Sequence, residues 1–177
     1  MTLTRSAPSA PVLRPPRHRV ARRAVAWWSA RILTLTAAGA ATPALAALIV
    51  PATGNPPPVL AAALVWAAAA AGAAGLAAAA VVPLWRFRVH RWEVADTAVY
   101  TASGWLWQEW RVAPMSRIQT VDTHRGPLQR LFGLADVVVT TASAAGPISI
   151  VGIGAAQAER AAAELTEAAR VSEGDAT

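Results

Sequence analysis

The chain of 177 residues contains no cysteine and no lysine. Without cysteine it can form neither a disulfide framework nor a thiolate metal site. Its three histidines show no H-x-x-x-H spacing, so the sequence predicts no metal site and gives no sign of a cofactor. All sixteen basic residues are arginine, and their distribution therefore describes the positive charge of the whole chain.

Acidic residues are missing from the first half of the chain. Residues 1–91 carry ten arginines and no aspartate or glutamate, a formal charge of +10. Residues 92–177 carry six arginines and ten acidic residues, a formal charge of −4. A nucleic-acid binder would need its basic surface on a folded domain. Because the later half is the domain-like one, this division argues against a nucleic-acid partner.

No ionisable side chain occurs from Ile32 to Trp85, a run of 54 residues. The proline-rich stretch "PATGNPPP" (51–58) divides this run into 32–50 and 59–85. Each part is long enough to cross a hydrocarbon core about 30 Å thick at about 1.5 Å per residue. Since backbone groups in lipid must satisfy one another, we expect both parts to be helices. The sequence predicts a transmembrane helical hairpin over 32–85 with a short external turn.

A cleaved secretory signal is the alternative interpretation of 32–50. Basic residues precede this segment, and "ALA" at 44–46 has the pattern of a cleavage site. However, 31 residues are too many for an ordinary n-region, and the apolar run continues past that site to Val50. These features favour a retained span.

Arginines flank the hairpin at both outer ends and are absent from its turn. The positive-inside rule then places both termini in the cytoplasm of a multi-pass protein of the cell (inner) membrane. Trp27, Trp28 and Trp85 would form an aromatic belt on the same face. The flanking arginines are Arg14, Arg17, Arg19, Arg22, Arg23 and Arg31 before the first span, and Arg86, Arg88 and Arg91 after the second. Residues 1–31 are expected to form a basic, disordered cytoplasmic arm.

Small residues recur at helical spacing in the second span. Ala68 and Gly72 form one small-xxx-small pair, and Gly75 and Ala79 form another. Such pairs let two helices approach closely. The partner helix could belong to another membrane protein, to a second copy of the chain or to its own first span, and the last is favoured.

A separate domain is expected over 86–171, followed by a tail at 172–177. Its segments are rich in Val, Ile, Thr and Trp and are separated by turn residues, which is typical of an antiparallel meander that forms a barrel or sandwich. Ile118 and Val121 lie three apart, which indicates a bulge or a strand covered on both faces. Residues 154–171 have the pattern of an amphipathic helix. The strand-like segments are 86–94, 98–104, 105–112, 116–125, 135–142 and 147–153.

An insert, "HRGPLQRLFGL" (124–134), separates two of these strands. Pro127 suits the first position of a helical turn, and Gly133 is placed to end it in a left-handed conformation. We expect Leu128, Leu131 and Phe132 to pack together on the edge of the barrel. Arg125 and Arg130 would then project outward, where they could contact an anion.

The strand–insert–strand–helix order resembles the bacterial pleckstrin-homology (PH) domain of YdbS-like membrane proteins. The matching letters are "RIQ" (117–119), "GPLQRLFGLA" (126–135) and "DVVVTTA" (136–142), within a similarity over about 84–170. The resemblance implies an α+β fold, a bent seven-stranded antiparallel β-barrel capped by a C-terminal α-helix, and it implies no reaction. Related eukaryotic domains bind phosphoinositides with bases around the loop after the first strand, but here "EVADTA" (93–98) contains no base.

These observations predict a non-catalytic, membrane-anchored PH-domain protein. It would act as a cytoplasmic docking or scaffold module at the inner leaflet, binding a protein partner, anionic lipid headgroups or both. Each base near the leaflet contributes about 1 kcal/mol of attraction. The candidate headgroup contacts are Arg86, Arg88, His90, Arg91, Arg125 and Arg130.

The alternative is an enzyme with a hydrolytic or transfer site near Asp122 and His124. These two residues lie two apart on a predicted strand and would share a face. No nucleophile motif accompanies them, so the sequence predicts no catalytic residue.

Overall fold

Two long helices precede a domain of antiparallel sheets in the computed structural model, which describes residues 15–54 and 57–174. The helices are α1 (Arg23–Ile49), α2 (Pro58–Val89), the short α3 (Pro127–Leu131) and α4 (Ala155–Gly174). The strands are β1 (His18–Arg19), β2 (Arg91–Ala95), β3 (Ala98–Gly104), β4 (Gln108–Pro114), β5 (Ile118–His124), β6 (Leu134–Thr141) and β7 (Ile148–Gly154).

Helices α1 and α2 form the predicted hairpin and are both long and apolar enough to cross a membrane. No residue in the most apolar 18-residue stretch of either helix is buried within the chain, as expected for surfaces that face lipid. They pack against each other along their length, and Ser29 Oγ donates a hydrogen bond of 2.9 Å to the Ala79 carbonyl. A 3₁₀ turn (Val50–Thr53) follows α1.

Both helices extend beyond the predicted spans into the domain. Helix α1 begins at Arg23 rather than at residue 32, because its first two turns are stabilised by packing against the sheets and not by lipid. Helix α2 continues to Val89, so the predicted strand over 86–94 was wrong in its first half. The alternating letters of "RFRVH" resemble a strand, but the helical hydrogen bonds continue to His90 N–H, which donates to the Arg86 carbonyl.

The chain before the hairpin is part of the fold from residue 15 onward. His18 pairs with Trp92 and Arg19 with Arg91, which adds β1 to the edge of β2. Beside this pairing, the Arg17 backbone N–H donates to Glu93 Oε2 at 3.2 Å. The structure therefore differs from the predicted disordered arm of 1–31 over residues 15–22 and over the start of α1 to Arg31, whereas residues 1–14, including Arg14, lie outside the described residues.

The described strands form two separate antiparallel sheets, ordered β1-β2-β3-β4 and β5-β6-β7. The strand number, antiparallel pairing and C-terminal helix agree with the prediction, but the sheets do not close into one barrel. The seventh strand is β1, which precedes the hairpin and was not predicted. The pairing register of β5 shifts between Ile118 and Thr120, which favours the predicted bulge over a strand covered on both faces, since most of β5 is exposed. A second irregularity lies between Ala135 and Val137.

A single hydrophobic core joins the sheets, α4 and the start of α1. Ala24, Trp27 and Trp28 of α1 are buried in it with strand residues such as Val99 and Val137. The amphipathic pattern predicted for 154–171 is confirmed: of its apolar stripe, Ala158, Ala161 and Leu165 are buried and Ala168 is partly buried against the core. The domain is therefore incomplete without the first turns of α1.

Helix α3 forms the predicted corner between β5 and β6. Pro127 is its first residue, and Gly133 follows it with φ +62°, as expected for the residue that ends the turn. Leu128 and Phe132 pack against the core, but Leu131 is 82% exposed, so the prediction that all three pack together was wrong for Leu131. Leu131 and Phe132 are successive residues about 100° apart around the helix axis, so a core that contacts Leu128 and Phe132 leaves Leu131 facing outward.

Candidate functional site

The loop between β3 and β4 exposes large apolar side chains beside the end of α2. Leu106 is 73% exposed, Trp107 is 86% exposed and Trp105 is 45% exposed. Trp85 Nε1 of α2 donates a hydrogen bond of 2.9 Å to the Trp105 carbonyl. This bond holds the Trp105–Leu106–Trp107 loop at the level where α2 leaves the domain. Tryptophan at such a level is typical of a membrane–water interface.

A cleft of about 620 Å³ opens between α1, the end of α2 and the corner at α3. We call it the juxtamembrane cleft. Its polar lining comprises Arg31, Thr34, Arg86, Gln129 and Asp136, and its apolar lining comprises Trp27, Trp28, Leu35, Pro127, Leu128 and Val151.

Cations and N–H donors outnumber acceptors in the juxtamembrane cleft. The Arg86 guanidinium lies 4.7 Å from the centre of a Trp28 ring, a cation–π contact. Within the described ranges, neither Arg31 nor Arg86 has a carboxylate at ion-pair distance. Trp28 Nε1 and Gln129 Nε2 are buried and have no acceptor there. Such donors are rare in native interiors.

A second, polar cleft of about 440 Å³ lies on the other side of Arg86, between the end of α2 and the strands β3, β4 and β7. His90 and Arg111 line it, and so does Glu109, which pairs with Arg111 at 2.6 Å. Burial, together with the nearby Arg86 charge, lowers the pKa of His90 to about 4. Its Nδ1 lies 2.9 Å from the Arg86 carbonyl, to which it donates when the ring is neutral.

The six predicted headgroup contacts do not form one site. Arg86 and His90 share the polar cleft, whereas Arg88 is exposed and Arg91 is half-buried beside it in a small groove with Pro16. Arg125 and Arg130 are exposed at either end of α3, as predicted.

Three contributors to the juxtamembrane cleft were missed by the sequence reasoning. Arg31 was interpreted only as a topology signal, and Trp28 only as part of an aromatic belt. Gln129 was not singled out, although a glutamine at the third position of a helix is a capping signal: its Oε1 accepts from Gly126 N at 2.7 Å. That capping role could have been recognised from sequence, but its position beside Arg86 could not.

The predicted small-residue face of α2 is directed toward α1 in its C-terminal half. A Cβ added at Gly75 would collide with Thr36, and Ala79 is buried where Ser29 bonds to it. A Cβ added at Gly72 would meet nothing within 4 Å, and Ala68 is half-buried. Contact with the chain's own first helix is thus found at Gly75 and Ala79.

Asp122 and His124, the enzymatic alternative, are both exposed on β5. Thr120 Oγ1 donates to Asp122 Oδ2 at 3.2 Å, and the described residues contain no group of three or more possible metal ligands. The pair therefore lacks a pocket and an oriented partner.

The end of the domain that would correspond to a phosphoinositide loop is acidic. The turn between β2 and β3 carries Asp96, and the cleft beside it is also lined by Glu164 and Glu167 of α4. Strand β2 leads away from α2 toward this turn. Bases thus lie near the hairpin and acids at the distal end.

Comparison with known proteins agrees with the sheets, the capping helix and the hairpin. The family model described as "Bacterial PH domain" matches residues 30–169. The UPF0699 transmembrane protein YdbS of Bacillus subtilis (strain 168) is 33% identical over 95 residues, which are 54% of this chain and 58% of that protein. The chain thus spans a little over half of that relative's length.

No solved structure matches the chain significantly. The family match covers most of the chain and includes the second helix as well as the sheets. It confirms the resemblance seen in "GPLQRLFGLA" and the strand after it. The chain therefore belongs to the bacterial PH domain family, as a YdbS-like membrane protein.

Proposed function

We propose that this protein is a non-catalytic docking module that its hairpin anchors in the cell membrane and its Trp105–Leu106–Trp107 loop holds against the inner leaflet. Both the family and the similar transmembrane protein point to a non-enzymatic role. The exposed apolar and basic side chains favour a bilayer surface, rather than another protein, as the binding partner.

The observation that carries the proposal is the contact between Trp85 and the loop. Because Trp85 follows an uncharged helix without interruption, it lies at the depth where lipid meets water. The loop bonded to it exposes Leu106 and Trp107, which are costly to leave in water and well suited to the interface. Arg88 on the next turn of α2 is exposed and would face anionic headgroups.

The pairing of β1 with β2 supports a hairpin that leaves and re-enters the same compartment. These strands come before α1 and after α2, so both ends of the hairpin lie together. The arginines at those ends support a cytoplasmic position for that side, by the positive-inside rule.

The absence of cysteine makes a depth measurement straightforward, since any introduced cysteine is unique. Leu106→Cys in the full chain would carry a nitroxide, with the protein reconstituted in vesicles of phosphatidylethanolamine and phosphatidylglycerol. Collisions with oxygen and with a water-soluble nickel chelate report the depth of the label. We expect the label at position 106 to collide more often with oxygen than with the nickel chelate, as a label at the membrane interface does.

Two matched positions calibrate this result. Val81→Cys lies on the lipid-facing surface of α2, and Ser116→Cys lies at the acidic end of the domain. We expect the label at position 81 to lie deepest in the bilayer, the label at 106 to lie at the interface, and the label at 116 to be the most exposed to water. A Leu106 label as open to the nickel chelate as the Ser116 label would contradict docking on the leaflet.

A further inference from the structure

We propose that the juxtamembrane cleft binds the phosphate group of a membrane phospholipid, with the acyl chains lying along α1. This inference rests on the proposed function, because it requires the cleft to lie at the membrane surface. It adds a defined site and a ligand class to a general attraction between bases and headgroups.

The positive charge of the cleft is uncompensated on the side where a ligand would enter. Arg31 and Arg86 both line it, and among residues 15–54 and 57–174 neither forms an ion pair. The Arg86 guanidinium carbon lies 4.7 Å from the centre of a Trp28 ring, a contact that uses none of its N–H groups as hydrogen-bond donors to a carboxylate. A guanidinium presents several N–H donors in a planar fork that matches the geometry of a phosphate.

The single carboxylate of the lining is turned toward the sheet. Asp136 Oδ1 accepts a hydrogen bond of 2.8 Å from Gly152 N in β7. The cleft therefore contains two arginines and one carboxylate, and an oxygen of that carboxylate is already hydrogen-bonded to the sheet. The polar cleft on the other side of Arg86 is less suited to an anion, because Glu109 lines it.

Two buried N–H donors at the cleft lack an acceptor. Trp28 and Gln129 are 2% and 5% exposed, and Trp28 Nε1 and Gln129 Nε2 have no hydrogen-bond partner in the described chain. The Gly126 N–H holds Gln129 Oε1, which fixes the amide so that its NH₂ group is directed away from that bond. A phosphate has acceptor oxygens only, so it complements the two arginines of the lining, and the two unpartnered N–H groups buried beside them add to the excess of donors over acceptors.

The apolar wall selects a lipid rather than a soluble phosphate. Thr34 and Leu35 line the same cleft one turn beyond Arg31, within the uncharged segment, and Leu35 is exposed. A phosphate held at Arg31 would thus have its glycerol and acyl chains beside Leu35. A soluble phosphate compound has no group to place there.

The test is native mass spectrometry of the full chain in mild detergent, titrated with dioleoylphosphatidylglycerol. Two variants remove cleft donors. Arg31→Gln takes away one cation, and Gln129→Glu keeps the oxygen that caps Gly126 but replaces the NH₂ group with a negative oxygen. We expect each to weaken phosphatidylglycerol binding at least about tenfold, and because Arg31 is exposed, Arg31→Gln should leave the melting temperature of the lipid-free protein nearly unchanged.

Arg22→Gln is the matched control, because Arg22 is an exposed arginine next to the start of α1 that does not line the cleft. It should bind the lipid as the natural chain does. Dioleoylglycerol, which lacks the phosphate, should not bind with comparable affinity. Excess inorganic phosphate should not compete, and competition by it would show a site for soluble phosphate and overturn the lipid assignment.

Unchanged binding in both Arg31→Gln and Gln129→Glu would overturn the site. An equal loss in Arg22→Gln would overturn it too, since surface charge alone would then explain the affinity. The Leu106 label separates the two proposals: an interfacial label with unchanged lipid binding rejects the cleft and leaves docking on the leaflet standing.

Discussion

His90 lies where α2 ends and β2 begins, with its ring buried 5.3 Å from that of Trp28. Arg86 on the preceding turn repels a second positive charge there, and the polar cleft also contains Glu109 and Arg111. Burial opposes ionisation of the ring even more than the Arg86 charge does, and together they lower the pKa of His90 to about 4. The ring is therefore neutral at pH 7, and His90 supplies a hydrogen bond to the Arg86 carbonyl and no charge that would attract an anionic headgroup.

This pKa predicts how stability depends on pH. In the unfolded chain His90 titrates near pH 6.5, whereas in the folded chain it stays neutral to about pH 4. Between these values the unfolded state binds more protons, so the contribution of His90 is fully present above pH 6.5 and is lost as the pH falls through 4. Melting temperatures measured from pH 4 to 7 should show this loss.

His90→Asn is the appropriate comparison, since its amide can still donate to the Arg86 carbonyl but does not titrate. Subtracting the two pH profiles cancels the carboxylates that titrate in the same range. We expect the natural chain to lose more stability than His90→Asn on acidification. Parallel profiles would show that His90 titrates normally.

At the scale of elements, the two helices of the hairpin are held at close range by Gly75. A side chain there would meet the stem of Thr36 on α1, whereas Gly72, one turn earlier on α2, has open space around it. Gly75→Leu should destabilise the hairpin by about 1–3 kcal/mol, the usual cost of overpacking. Titrating the protein in mild detergent with SDS and monitoring its unfolding measures this difference in stability.

Gly72→Leu is the matched control, with the same change in helix propensity and apolar volume. It should leave stability nearly unchanged. If Gly72→Leu were the more damaging change, and dimers were lost with it, the small residues would serve a second copy instead of α1. Equal effects would show that propensity and not packing controls the outcome.

Helices and sheets differed in how far their sequence revealed them. Lipid-facing helices must be uncharged over their full length, so the hairpin was readable from composition. Strand β1 was not, because two residues carry no periodicity and pair only with β2, more than seventy positions away. Leu131 was misjudged for a related reason: spacing gives relative direction, but only the surrounding fold determines which direction is buried.

The candidate site was the least predictable part. The arginines near α2 could be identified because topology signals and headgroup contacts use the same residue type. Trp28, Arg31 and Gln129 meet only after α1, α2 and α3 have packed together, and no local pattern encodes that meeting. Contacts between residues that are distant in sequence therefore could not be predicted.

For the whole molecule, the pairing of β1 with β2 requires both ends of the hairpin to share one compartment. Ala52→Cys in the exposed turn should react with a membrane-impermeant maleimide added to intact cells. Ser116→Cys in the domain should react only after the cells are opened. Reaction of both positions, or of Ser116 alone, in intact cells would contradict the assigned topology.

The rest of the domain follows α2 after a single residue, because the helix ends at Val89 and β2 starts at Arg91. The first turns of α1 are embedded in the same core, and Arg17 is tied to Glu93 across the join. Hairpin and sheets thus lack a flexible joint at either connection. With the hairpin in a bilayer as proposed, a change in bilayer thickness that tilts the hairpin would turn the attached sheets with it, so the surrounding lipid would set the angle between the domain and the membrane plane.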